Sequence, residues 1–158
     1  MNRVLLYLGR FTLILAGYAV ASFAASAFVN LLMFGSFGLA PEEMAGAFAS
    51  SKFTIPFVAL LVAYLAFIPS IVVIVAAEVL GRRDWLYYAL AGGLVALVML
   101  VVVFGFYPDT DDKEPMLHAW LGATLVGAGF VGGVACWLVA GRSAGSWRPA
   151  PGRELPSA

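Results

Sequence analysis

The chain has 158 residues, 63% hydrophobic and 11% charged, with a mean hydropathy of +0.96. A soluble domain is roughly half apolar and about a quarter charged, so this chain cannot cover itself with polar surface and its solvent must be lipid. A formal net charge of zero leaves no basic face for nucleic acid, and a single cysteine, Cys136, excludes an intrachain disulfide or a cysteine-rich metal site.

The first apolar run, 11–34, contains no charge. At the helical rise it reaches about 36 Å, enough to cross a hydrocarbon core of roughly 30 Å with some tilt. Arg3 and Arg10 precede it, and Ala19-Val20-Ala21 or Ala25-Ser26-Ala27 would suit a signal peptidase. A cleaved signal has an apolar core of about 7–15 residues. Here the apolar character continues to Phe34, so the segment is read as an uncleaved anchor.

The next segment, 35–52, contains Leu39-Ala40-Pro41-Glu42-Glu43. Proline at a first helical position followed by two acids is a helix-start pattern. Met44 and Phe48 would share a face, so a short interfacial helix is expected ahead of the second run. That run, 53–79, carries Pro56 and Pro69 and has Glu78 at its end. Pro69 removes one helical hydrogen bond and clashes with the preceding turn, which predicts a kink near Ala66. The turn Gly81-Arg82-Arg83-Asp84 permits only an antiparallel hairpin into the third run, 85–106. A tight acidic loop with Asp109, Asp111, Asp112 and Glu114 leads to the fourth, 116–140. From 141 onward the chain is rich in Gly, Ser, Pro and Arg and is expected to be disordered.

Each run exceeds the roughly 18 residues needed to span a bilayer. Backbone groups in lipid must be paired within their own segment, so all four should be helices. Aromatic residues near the predicted ends (Tyr7, Trp85, Tyr87, Tyr88, Tyr107, Trp120, Trp137, Trp147) form the expected interfacial belts. The expected fold is therefore all-α: a polytopic membrane protein with a four-transmembrane-helix bundle over 1–140 and a cytoplasmic tail over 141–158.

Basic residues on short loops set orientation. Seven arginines (3, 10, 82, 83, 142, 148 and 153) fall on one side of this topology, and two lysines, Lys52 and Lys113, on the other. The acids of both outer loops reinforce that asymmetry, so both termini are expected in the cytoplasm. The preference for Arg over Lys, with abundant Ala and Gly, suggests a GC-rich bacterial genome and hence a bacterial inner membrane.

Helices associate in lipid by close approach, so small residues mark contact faces. The fourth span carries Thr124, Ala128, Gly132, Cys136 and Ala140 at intervals of four, with Gly129 and Gly133 on an adjacent face. The first span carries Gly17, Ala21 and Ala25 at the same interval, flanked by Ser22 and Ser26. These stripes are expected to face neighbouring helices, in the same chain or in another copy. Residues 127–132 also match GxGxxG, but a dinucleotide site needs a preceding strand and a turn into a helix, and this match lies in mid-span. No cofactor is expected.

Few polar residues could carry chemistry. Glu78 is the single charged residue within a span; an intramembrane carboxylate is a candidate proton or cation site, but Arg82 lies four residues on in good orientation for a helical ion pair. Asn30 reads as an interhelical hydrogen-bonding group, and Tyr64 as a possible lining of a polar route. Pro69 and Ser70 mark either a static kink or a hinge. His118 follows the acidic loop, yet no fixed ligand spacing supports a metal there. Cys136 lacks the electropositive setting of a reactive thiol and reads as a small apolar residue.

No cluster of His, Asp, Glu or Ser suggests an enzyme. The expected function is a non-enzymatic accessory, assembly or scaffold subunit, with lipid and other membrane proteins or a second copy as partners. The alternative is a small oligomeric transporter or channel using Glu78.

Overall fold

The computed structural model describes residues 3–36, 41–105 and 115–145. Among them the chain is all-helical: α1 (Arg3–Ser36), α2 (Pro41–Leu65), α3 (Phe67–Leu80), α4 (Trp85–Gly105) and α5 (Pro115–Val139), followed by a 3-10 turn, Gly141–Ser143. Three helices, α1, α4 and α5, are each long and apolar enough to cross a membrane. The pair α2–α3 also qualifies if taken together, bent by 70° at the break between Leu65 and Phe67. The molecule thus has three to four candidate membrane spans.

The bend has a local cause. Pro69 has no N–H to give the Leu65 carbonyl, and its ring crowds the turn before it. The helical ladder resumes around the break, with Ala66 N donating to the Val62 carbonyl at 2.9 Å and Ser70 N to the Ala66 carbonyl at 3.0 Å. The kink expected near Ala66 is therefore present, and it is sharp enough to divide one helix into two. Pro56 lies within α2 without interrupting it.

Two expectations about boundaries change. No separate interfacial helix precedes the second span; α2 starts at Pro41 and runs unbroken to Leu65, because nothing between Glu43 and Phe53 breaks a helix. The side chains of Met44 and Phe48 lie outside the described residues. At the other end the chain stays on the bundle after Ala140: Gly141 and Ala144 are buried, and the turn closes with Ala144 N donating to the Gly141 carbonyl at 3.1 Å. The expected disordered tail falls mostly on 146–158, outside the described residues.

Packing is organised around α5, which makes its most extensive contacts with α4 and α1. The two small-residue faces of α5 divide between those partners. A Cβ on Gly17 of α1 would lie 2.9 Å from the Ala140 Cβ, and one on Gly132 would lie 3.1 Å from the Ala21 carbonyl oxygen. The stripe of Ala128, Gly132, Cys136 and Ala140 therefore meets Gly17, Ala21 and Ala25 of α1 within the chain. Gly129 and Gly133 meet α4 instead, against Gly92 and the backbone of Tyr88, closer than any real side chain would allow. The register runs backward along both contacts, so α1 and α4 are each antiparallel to α5. Helix α2 is likewise antiparallel to α1, since Tyr18 reaches Ala63 and Ser26 reaches Ile55.

Candidate functional site

The most connected polar group sits where α1, α3 and the end of α5 converge. Helix α3 stops at Gly81, whose φ of 63° lies in the left-handed region that glycine adopts without strain. The Gly81 and Arg82 N–H groups cap the last turn through the carbonyls of Glu78 and Ala77. This cap carries Arg82 past the end of the helix, off the face that holds Glu78. The Glu78–Arg82 pair expected from the spacing does not form. Arg82 instead approaches Asp84 at 3.9 Å, with both side chains exposed.

Glu78 is paired with Arg10 of α1, sixty-eight residues away. The Arg10 Nε donates to Glu78 Oε1 at 2.9 Å, and Nη2 donates to the same oxygen and to the Ala140 carbonyl. Nη1 donates to Ser143 Oγ at 2.5 Å. The second carboxylate oxygen accepts the Gly145 N–H at 3.1 Å. The side chains of Arg10 and Glu78 are only 12% and 13% exposed, so each charge depends on the other to offset its lost solvation. Around this core Arg83 Nε donates to the Ala144 carbonyl, Trp137 Nε1 donates to the Arg83 carbonyl, and Arg142 stacks on the Trp137 ring at 4.9 Å. The cluster thus ties the start of α1, the end of α3, the turn before α4 and the segment after α5 to one another.

A second polar group lies at the helix break. Tyr18 of α1 donates its hydroxyl to the Ala63 carbonyl at 2.5 Å, one of the last carbonyls of α2 and short of an intrahelical donor. Ser70 of α3 adjoins the same hydroxyl, and Phe67 meets the Tyr18 ring edge-on at 6.1 Å. Higher on α1, Ser26 is fully buried and donates to the Ile55 carbonyl at 2.8 Å. Asn30 is buried and donates from Nδ2 to the Ser26 carbonyl at 2.9 Å, a bond within its own helix. Among the described residues no buried side-chain nitrogen or oxygen lacks a hydrogen-bond partner.

Beside this second group the helices border a partly open cavity of about 100 Å³. Tyr18, Ser22, Ser70 and Tyr88 are its hydroxyl-bearing residues; Ala, Gly, Val and Ile line the rest, with Cys136 at one end. Its walls give an apolar guest shape and no free charge.

The remaining candidates are dispersed. Tyr64 is 79% exposed on the outside of α2, away from the cavity lining. Pro69 acts through the bend. His118 falls in the first turn of α5, but its side chain and the acids of 109–114 lie outside the described residues. No group of three metal-ligating side chains occurs among the described residues. Sequence reasoning missed Arg10 and Gly145 as partners of Glu78, and Ser143 as a partner of Arg10, because contacts so distant in sequence leave no spacing signal. It also missed Gly92, although Gly92 and Ala96 form a small pair at the same four-residue interval used for α5. Comparison with protein-family models, curated proteins and solved structures gave no match, so the functional reading rests on this geometry.

Proposed function

We propose that the chain is a four-span, non-enzymatic protein of a bacterial inner membrane, with both termini cytoplasmic, acting as an accessory, assembly or scaffold subunit alongside other membrane proteins. The observation that carries the reading is the internal neutralisation of Glu78. A proton or cation site needs a carboxylate free to exchange its partner, and this one has both oxygens engaged within the chain. Tyr18, Ser22, Ser26 and Asn30 donate to backbone carbonyls, and no continuous polar route runs among the described residues.

Support for four crossings comes from the helix ends. Arg10 near the start of α1 bonds to Ala140 and Ser143 after α5, so these ends share one side of the membrane. Helix α4 is antiparallel to α5 and therefore begins on that side too. Helix α1 then ends on the opposite side, and a crossing by α2–α3 brings the chain back. A re-entrant α2–α3 would put the start of α1 and the end of α5 on opposite faces, at odds with the hydrogen bonds from Arg10 to Ala140 and Ser143. The excess of arginine at this end favours the cytoplasm.

The test is purification of a C-terminally tagged chain in mild detergent, with native mass and co-purifying proteins determined together. Recovery in fixed ratio with other membrane proteins is expected. Recovery alone, as a monomer or small homo-oligomer, would overturn the subunit reading and favour a transporter.

A further inference from the structure

Helix α3 differs from the other helices in how it is attached. It has only 14 residues, and each end meets an irregular backbone: the 70° break at Ala66 and the left-handed Gly81. It approaches its neighbours far less closely than α1 and α4 approach α5. Its outward face, with Ile68, Val72, Val75 and Val79, is exposed. A groove of about 270 Å³ separates it from α1, bounded by Phe11, Ile14 and Leu15 on one side and Ile71 and Val75 on the other. That groove runs from the Tyr18–Phe67 contact down to Glu78. The inward face of α3, through Ser70, Val73 and Ile74, forms one wall of the central cavity.

We propose that α3 is a hinged flap over the central cavity, latched shut by Glu78. The latch consists of the bonds from Arg10 and the Gly145 N–H to the Glu78 carboxylate, at the end of α3 remote from the break. The hinge is the break itself, where Pro69 has already removed a ladder hydrogen bond. Weaker ties supplement the latch: the Tyr87 hydroxyl donates to the Val73 carbonyl at 3.4 Å, Ala77 packs on Tyr88 and Cys136, and Ser70 and Phe67 meet Tyr18 close to the hinge. Releasing Glu78 lets α3 swing outward about Ala66 and widens the mouth of the cavity, exposing its Cys136 end. The cavity lining is apolar, so an open flap admits an apolar bilayer molecule such as an acyl chain; a hydrated ion would find no compensation there. The inference is independent of the subunit reading, since a latched flap suits a subunit or a stand-alone protein.

The chain carries its own reporter. Cys136 is the one cysteine, it is buried, and it lines the cavity behind α3 while packing with Ala77. In the full-length protein in lipid nanodiscs, a membrane-permeant maleimide should label wild-type Cys136 slowly. Glu78→Gln and Arg10→Gln should each raise the rate about tenfold to a hundredfold, the change expected when charge-assisted hydrogen bonds are lost. The double variant should label no faster than the quicker single, because both remove one latch. Arg82→Gln, outside the latch, should label as wild type. Unchanged labelling in a folded Glu78→Gln protein would overturn the flap. If the latch variants fail to fold, hydrogen exchange of the wild-type chain decides: amides of 67–80 should exchange well before those of 124–139, and equal protection of the two segments would overturn the proposal.

Discussion

The tightest glycine contact among the described residues makes the sharpest energetic prediction. A Cβ on Gly133 would collide with the Tyr88 carbonyl oxygen and stand 2.8 Å from the Tyr88 carbonyl carbon and 3.1 Å from the Ala89 Cα. All three are backbone atoms, so no rotamer change can relieve the clash. Helices α4 and α5 must move apart, on the order of an ångström, to restore ordinary contact. That separation also loosens the Gly92–Gly129 contact next to it. Overpacking of this kind costs about 1–3 kcal/mol, partly offset by the roughly 1 kcal/mol advantage of alanine over glycine in a helix. Gly133→Ala should therefore lose up to about 2 kcal/mol of stability, net of that propensity gain. Gly122→Ala is the matched control on the same helix. Its Cβ would meet only the Leu100 Cδ1, at 3.5 Å, an ordinary contact. It should be neutral or gain up to about 1 kcal/mol. Reversible unfolding in mixed micelles, followed by tryptophan fluorescence, measures both. A Gly133→Ala protein as stable as wild type beside a destabilised Gly122→Ala would refute the α4–α5 register.

Other outcomes follow from particular contacts. Tyr18→Phe removes the hydroxyl that serves the Ala63 carbonyl and should cost about 0.5–1.5 kcal/mol in the same unfolding assay, with the ring packing on Phe67 kept. Ser26→Ala should cost a similar amount, because it strips the fully buried donor to the Ile55 carbonyl. Pro69→Ala returns an N–H to the Leu65 carbonyl and should reduce the 70° bend. With spin labels at Ala49 and Leu80 in a Cys136→Ser background, full straightening would lengthen their backbone separation from about 38 to about 46 Å at the helical rise; an unchanged distance would mean that tertiary packing, and not the proline, sets the bend.

Much of this architecture could be read from the residues. Uninterrupted apolar runs gave the helices, Pro69 gave the break at Ala66, and the four-residue spacing of Ala128, Gly132 and Cys136 marked α5 as a contact helix. Which neighbour each face meets could not be read, since glycine at position 129 or 132 carries no information about its partner. The structure assigns one face to α1 and the other to α4. The polar cluster was harder still. Glu78 looked like half of an i, i+4 pair, because that rule assumes the helix continues; Gly81 ends it first. Arg10 looked like a topology signal at the membrane edge, and its pairing with a residue in α3 depends on how two helices converge. Local spacing encodes helix faces well, and it encodes little about contacts between helices far apart in the chain.

The central claim is that α2 and α3 together make one crossing, so that four spans leave both termini in the cytoplasm. Topology reporters placed ahead of Met1, within 109–113 and after Ala158 test it in one set of fusions. The account predicts cytoplasmic signal from both terminal fusions and external signal from the 109–113 insertion. Terminal fusions reporting opposite sides of the membrane would mean that α2–α3 turns back without crossing, and would contradict the four-span account.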